Sequence, residues 1–201
     1  MNAVIVKDMI RSLPGDEFLR RMGDQVLTDL FAYWDAKRRG RRLPQPGDID
    51  PARVDAVSAI SGLVIVTKQG QKYCYRRLGN PRAREIPRDI AENALSASVS
   101  ADYVRSLSGL YTALTGVMRP IFSEGEGLGK FGARYPVKRL LLPVSSDGTG
   151  LDMICYAALP QETRWSDTGP MKKIDDLMAI NGVIYALAQP DPDRGGGEPL
   201  D

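Results

Sequence analysis

The hydrophobic positions near the N-terminus predict one long amphipathic helix. From Asp16 to Arg39, apolar residues recur at steps of three and four positions, with polar residues on the opposite side, as in a helix that packs against a core. The apolar stripe is wider than a single core contact requires. Either the helix lies between two layers of its own fold, or Leu27, Leu30, Phe31 and Trp34 form the interface of a homodimer.

Two runs in the middle of the chain predict a β-hairpin. Leu63–Val66 is typical of a buried strand, Tyr73–Leu78 is typical of the returning strand, and Gly70 lies in the turn between them. A short helix is expected before the hairpin, because Asp50 is a good N-cap and Pro51 loses no hydrogen bond at the first helical position.

The second half of the chain predicts a helix followed by three strands. The helical period begins at the capping residue Ser100 and stops at Gly116. Strands are expected at Val117–Phe122, Val137–Val144 and Leu151–Leu159. Because Ser145-Ser146-Asp147-Gly148 supplies local side-chain hydrogen bonds and a glycine for a positive φ, it is expected to join the last two strands into a hairpin.

These elements divide the chain into four parts. We expect an N-terminal helix and linker over residues 1–50 and a core of sheet and helices over residues 51–160. A C-terminal extension over residues 161–188 has the pattern of a helix that is broken or kinked around Asn181-Gly182. Residues 189–201 are rich in acidic residues, proline and glycine, so this tail is expected to be disordered.

Composition excludes several classes of function. The chain has 27 basic and 25 acidic residues and no histidine. The balanced charge does not fit a strongly basic nucleic-acid binder, and the lack of histidine excludes a Ser-His-Asp or Cys-His catalytic unit and a haem held by histidine. Neither a signal peptide nor a membrane-spanning run is present. We therefore expect a cytoplasmic protein with no membrane or nucleic-acid partner.

Cysteines and carboxylates do not indicate a metal site. Cys74 and Cys155 are far apart, lie in apolar or aromatic runs and lack the C-x-x-C spacing, which favours buried structural cysteines. Glu124, Glu126 and Asp152 do not have the spacing of a metal-binding loop. No metal ligand is therefore predicted.

Two further motifs have simple structural interpretations. Gly127–Gly132 matches G-x-G-x-x-G, but the run that follows contains Pro136 and does not begin a helix, so we expect a loop between strands instead of a dinucleotide site. Lys37–Arg42 places five basic residues at the end of the first helix, where cations meet the negative end of the helix dipole. Contact with phosphate or with an acidic partner is the alternative for this run.

Aromatic and basic residues of the predicted core are candidates for a ligand site. Tyrosine hydroxyls between the sheet and a helix can orient a small molecule, and inward-pointing arginines can hold an anionic ligand or a buried carboxylate. An aromatic core with solvated arginines predicts the same residues, so both interpretations stay open. The candidate ligand-binding residues are Tyr73, Tyr75, Arg76, Tyr103, Tyr111 and Arg139.

Two strands, inserted helices and then three strands form the topology of a PAS domain. Several segments strengthen the resemblance, the longest being Arg139–Gly148; the others are Tyr33-Trp34, Arg41–Pro44, Asp48–Pro51 and Tyr75–Gly79. Over about Asp16 to Leu159 the chain resembles the small stand-alone PAS proteins of bacteria. The resemblance implies an α+β fold with an antiparallel five-stranded sheet, helices on one face and a long N-terminal amphipathic helix.

The same resemblance implies a role in signalling. Such a protein is expected to be a cytosolic sensor or adaptor without an attached output domain, which binds a small ligand or a protein, dimerises through its first helix and acts on a separate kinase or regulator. Asn80–Pro87 departs from the family pattern and alters the expected pocket. No cofactor is identified, and flavin is not expected because the motif around a flavin-reactive cysteine is missing.

Two other functions remain as alternatives. One is a small-molecule enzyme that uses tyrosine, arginine or carboxylate chemistry in the same cavity, although no spacing in the chain arranges such groups for general acid–base catalysis. The other is a protein–protein adaptor with a filled core. We expect a non-enzymatic protein.

Overall fold

The computed structural model of the chain describes residues 10–57, 61–67, 72–78, 101–128, 134–161 and 182–189. The described residues have the α+β class predicted from the sequence, and none of their helices is both long and apolar enough to cross a membrane. Their strands and α-helices follow the chain order β1 (Ile10–Leu13), α1 (Gly15–Met22), α2 (Gln25–Arg38), α3 (Pro51–Asp55), β2 (Ser61–Thr67), β3 (Lys72–Leu78), α4 (Ala101–Val117), β4 (Ile121–Leu128), β5 (Arg134–Val144), β6 (Met153–Pro160) and β7 (Gly182–Leu187).

The predicted N-terminal helix is in fact two helices. Gly23 adopts a left-handed conformation with a φ of 54°, and its N–H donates to the Leu19 carbonyl, which ends α1. The Asp24 carboxylate accepts hydrogen bonds from the N–H groups of Val26 (2.9 Å) and Leu27 (3.3 Å) and so begins α2. A C-terminal and an N-terminal cap at adjacent positions separate the helices, although the hydrophobic period continues through both.

The strands form one mixed sheet with the order β1-β7-β4-β5-β6-β2-β3. The five strands expected from the sequence pair antiparallel, β2 with both β3 and β6, and β5 with both β4 and β6. Two further strands extend the edge formed by β4, because β7 pairs antiparallel with β4 and β1 pairs parallel with β7. The expectation of five strands is therefore corrected to seven within the described residues.

Strand β7 occupies part of the extension that was expected to be helical. Ile184, Tyr185 and Ala186 are buried, and the Tyr185 ring stacks on Phe122 at a centroid distance of 6.1 Å. Aromatic and β-branched residues favour a strand where a free sheet edge is available to pair with. The predicted helix is wrong for Gly182–Leu187, and the remainder of it lies outside the described residues.

Two local predictions are confirmed. Asp50 accepts a hydrogen bond from the Ala52 N–H at 2.9 Å and caps α3. Gly148 has a φ of 76° in the turn between β5 and β6. The loop expected at Gly127–Gly132 is wrong for Gly127 and Leu128, which belong to β4 and pair with Tyr135 and Arg134 of β5, and its remainder lies outside the described residues. Several strand boundaries differ from the expected ones; the largest difference is at β4, which runs from Ile121 to Leu128 because α4 continues through Val117.

One face of the sheet, which we call the helix-pair face, lies against α1 and α2. It carries Phe122, Lys138 and Leu140, which share a side because the register places Phe122 opposite Leu140. The Phe18 ring lies 6.5 Å from the Phe122 ring in an edge-to-face arrangement, and Lys138 Nζ donates to the Met22 carbonyl at 2.7 Å. The N-terminal helices therefore cover this face.

The other face, which we call the α4 face, carries Ser123, Arg139 and Leu141. All three are buried, and α4 contacts β5. This face is therefore covered as well. Because α1 and α2 occupy the helix-pair face, we assign α4 to the α4 face, and the buried residues of α4 are Leu110, Tyr111, Ala113 and Leu114. On this assignment helices lie on both faces of the sheet and not on the one face that was expected, and the run Leu140–Leu142, which is buried at every position, is typical of a strand covered on both sides.

Candidate functional site

A buried arginine lies on the α4 face in the middle of the sheet. Arg139 of β5 lies directly opposite Ser123 of β4 and Ala158 of β6, and only 2% of its surface is exposed. The next residues of β5 on the same face, Val137 and Leu141, are buried and apolar. A guanidinium at such a position loses its hydration, so it requires hydrogen-bond acceptors from the protein or from a ligand.

Tyr156 lies beside this guanidinium. On β6 it lies opposite Leu141, which places it on the α4 face one position along from Arg139. Burial raises the pKa of the Tyr156 hydroxyl, whereas the charge of Arg139 and a side-chain hydrogen bond with it act to lower that pKa. Since a phenol oxygen that accepts from a cation keeps its own O–H proton, the Tyr156 hydroxyl is also a donor on this face.

Two polar atoms of the α4 face have no hydrogen-bond partner in the described part of the chain. They are Arg139 Nη2 and Ser123 Oγ, and both are closed to solvent. The two residues form a cross-strand pair, in which Cβ atoms lie about 4.5–5.5 Å apart. Buried polar atoms nearly always have partners, so these two atoms of neighbouring residues define the candidate site.

The charge of Arg139 is also without a counterion among the described residues. The ion pairs found there involve other basic residues, all of them with side chains at least 32% exposed. Glu124, the carboxylate next to Ser123 in β4, belongs to the helix-pair face and pairs with Arg21. A cation at Arg139 therefore has no carboxylate from this part of the chain to neutralise it.

The structure places two of the predicted ligand-binding residues in the core. Arg139 forms the site, and Tyr111 is fully buried on α4. The other four keep the standing of predictions, because their side chains lie outside the described part although their backbones belong to β3 and α4. These four residues are Tyr73, Tyr75, Arg76 and Tyr103.

Sequence reasoning missed Ser123 and Tyr156. The strand predicted at Val117–Phe122 ended one residue before Ser123, so that residue was not assigned to a face. Tyr156 lies inside a strand that was predicted, and its alternation with Cys155 was visible in the sequence. Only the register between β5 and β6, however, brings it beside Arg139.

The residues predicted for a dimer interface belong to the core of the chain itself. Leu27, Leu30 and Trp34 are at most 2% exposed, and the Trp34 indole N–H donates to the Pro143 carbonyl at 2.9 Å. Phe31 is half-buried, with its ring centroid 6.0 Å from that of Trp34. Much of the wide apolar stripe is therefore used inside the fold, although Leu19 and Val26 are exposed, and these three buried residues have no surface left for a partner. Self-association stays a prediction that requires other residues.

The basic run at the end of α2 forms contacts within the chain. Arg38 pairs with Asp35 at 2.7 Å, and both Arg39 and Arg41 pair with Asp48. Partners within three to nine positions along the chain are enough to explain these residues. They support the structural interpretation of the run over contact with a phosphate.

Cys155 has the properties of a structural cysteine. Its thiol is free and fully buried on the helix-pair face, and burial raises its pKa to about 12. A thiol that stays protonated at neutral pH is a poor nucleophile and metal ligand. The side chain of Cys74 lies outside the described residues, among which no cluster of three or more metal-ligating residues occurs.

Comparison with known proteins agrees with the strand arrangement. A family model described as a PAS domain matches residues 22–155. The match covers more than half of the chain and includes both Ser123 and Arg139. No curated protein and no solved structure gives a match. With strands in the two-plus-three order and a family match over most of the described core, the chain belongs to the PAS domain family.

Proposed function

We propose that this PAS domain is a signalling sensor that binds a small ligand between the α4 face of its sheet and α4. The observation that carries the proposal is the buried Nη2 atom of Arg139, which has no hydrogen-bond partner in the part of the chain that the structure describes. A core gains little stability from a cation without a counterion, and apolar replacements of buried charged groups are often neutral or stabilising. A ligand that accepts a hydrogen bond from Arg139 Nη2 explains why an arginine is buried at this position.

In this proposal the protein has no catalytic chemistry of its own. It acts in the bacterial cytosol, and occupation of the α4 face changes the surface that the domain offers to a separate kinase or regulator. The complete lack of histidine supports a binding role, because the side chain most often used for general acid–base catalysis near neutral pH is missing.

The proposal is tested on the full chain as it is purified from cells. Native mass spectrometry is expected to show a small molecule bound to the folded protein. Unfolding, dialysis and refolding then give a stripped protein, whose thermal midpoint is expected to be lower than that of the purified protein, because a ligand that binds only the folded state stabilises it. Adding back the low-mass fraction released on unfolding is expected to restore the original midpoint.

The sensor proposal also defines the results that would contradict it. If purified and refolded protein have the same mass and the same thermal midpoint, and if the low-mass fraction has no effect on either, the sensor proposal fails. The protein is then better described as an adaptor with a filled core. Production in two unrelated hosts controls for a ligand that only one of them makes.

A further inference from the structure

We propose, on the basis of the sensor function above, that the ligand is an organic acid with an apolar body, whose single carboxylate lies against Arg139 Nη2 and Ser123 Oγ. The proposal names the chemical class of the ligand. It depends on the donors that converge on the α4 face, on the charge they carry and on the apolar residues around them.

The donors of the site match the oxygens of a carboxylate. Arg139 Nη2 and Ser123 Oγ are both buried and without partners in the described part of the chain. Tyr156 lies beside Arg139 on the same face of the sheet, and its phenol has an O–H proton to donate. An ionised carboxylate accepts hydrogen bonds through two oxygens and donates none, so one such group satisfies donors from β4, β5 and β6 together.

The charge of the site favours one negative charge on the ligand. Arg139 contributes one positive charge, and no described carboxylate pairs with it. A monocarboxylate therefore makes the buried pair neutral. A phosphate monoester carries a charge of about −1.5 to −2 at neutral pH, which leaves excess negative charge in a site where burial of net charge is costly.

The surroundings of the site favour an apolar body. Ala158 lies opposite Arg139, while Ile121 and Leu141 form the next cross-strand pair on the same face. All three are at most 1% exposed. No described acidic side chain lies on this part of the sheet to hold an ammonium group, which disfavours amino acids and other zwitterions. A hydrocarbon body can pack against these apolar residues without burying an unpaired polar group, so no desolvation cost opposes its binding.

Four compounds with six carbon atoms each test the head group on the stripped full-length protein. Hexanoate is compared with 1-hexanol, hexylamine and hexyl phosphate by isothermal titration calorimetry, and acids from acetate to octanoate then vary the length of the body. At least one acid is expected to bind saturably and more tightly than its alcohol, amine and phosphate counterparts.

Variants of the site locate this binding. Arg139→Gln is expected to weaken the acid by roughly 10- to 100-fold, because a charge-assisted hydrogen bond is lost. Arg139→Lys keeps the charge but not the planar fork, so an intermediate loss is expected, and Ser123→Ala is expected to produce a smaller one. Arg20→Gln is the matched control, since the Arg20 side chain is 74% exposed. Circular dichroism establishes that each variant is folded.

The results separate this inference from the sensor proposal. If the low-mass fraction restores the thermal midpoint but contains no carboxylic acid, or if Arg139→Gln binds the acid as tightly as the wild-type protein, the carboxylate inference is wrong and the sensor proposal stands. If the hexyl phosphate binds best, the anion is a phosphate and the inference is equally wrong. If no acid binds and the low-mass fraction has no effect, both proposals fail.

Discussion

Consecutive residues of the same strand have different environments on the two faces of this sheet. Lys138 points to the helix-pair face, where its ammonium group donates to the Met22 carbonyl at 2.7 Å. Arg139, the next residue, points to the α4 face, where Nη2 has no partner among the described residues. In β4 the same contrast separates Glu124, which pairs with Arg21, from the unpartnered hydroxyl of Ser123.

The difference shows that the two faces meet different requirements. On the helix-pair face, Lys138, Glu124 and the Trp34 indole each find a partner within the chain, so their polar groups hold α1 and α2 on the sheet. On the α4 face, Arg139 Nη2 and Ser123 Oγ have no hydrogen-bond partner among the described residues. Since folding alone favours satisfied polar groups, we attribute the helix-pair face to stability and the α4 face to binding.

The largest expected effect is on the helix-pair face. Trp34→Ala is expected to lower the free energy of unfolding by about 3–5 kcal/mol, as for other buried aromatic residues, and Trp34→Phe by about 1–3 kcal/mol, because the Pro143 carbonyl loses its donor. Urea denaturation measures both changes. A loss in Trp34→Ala no larger than that in an exposed substitution such as Arg20→Ala contradicts the structural role of this face.

The second largest change in stability is expected at the consecutive basic residues Lys138 and Arg139. In stripped protein, Arg139→Met is expected to raise the free energy of unfolding by about 1–4 kcal/mol, because an uncompensated buried charge is replaced by an apolar side chain. Lys138→Met is expected to lower it by about 1 kcal/mol through loss of a hydrogen bond. Urea denaturation of the two variants at the same pH gives the signs. Destabilisation by Arg139→Met would show that the chain itself satisfies the arginine.

A smaller difference in stability is expected between variants of two buried serines. Ser145 accepts a hydrogen bond from the Gly148 N–H at 2.9 Å and is 2% exposed, whereas Ser123 has an unpartnered hydroxyl and is 4% exposed. Ser145→Ala is expected to lower the free energy of unfolding by about 1 kcal/mol, and Ser123→Ala is expected to leave it unchanged or raise it slightly. Equal losses in calorimetric unfolding of the two variants would contradict the assignment.

The smallest effect at neutral pH concerns Cys155. Burial raises the pKa of this thiol to about 12 from an ordinary value of 9.0. The folded state therefore keeps a proton that the unfolded state loses between those values, so this contribution to stability is complete below pH 9 and is lost as the pH rises toward 12. Cys155→Val is expected to become more stable relative to the wild-type protein above pH 9. Parallel stability curves from pH 7 to 10.5 would contradict this linkage.

The sequence predicted those elements whose boundaries depend on contacts between residues that are close together along the chain. The cap at Asp50, the turn glycine Gly148 and the periodic helices depend on contacts within a few residues, which the sequence displays directly. The break at Gly23-Asp24 was also encoded locally, as a left-handed cap followed by an N-cap. The continuous hydrophobic period across it concealed the boundary.

Features that depend on distant pairing were not predictable in the same way. Strand β7 forms because β4 and β1 flank it, and β1 is more than 160 residues away along the chain. The sequence identified Arg139 as a candidate but left both an anion site and a solvated surface open. Burial of the arginine, the position of Ser123 opposite it and the approach of Tyr156 all follow from the register of β4, β5 and β6.

The most direct test of the account is a crystal structure of the full-length protein as it is purified, without the refolding step. The account predicts an oxygen atom of a bound small molecule at about 2.7–3.0 Å from Arg139 Nη2, the distance of a charge-assisted hydrogen bond. A carboxylate of the chain itself in that position, with no other molecule on the α4 face, would contradict it.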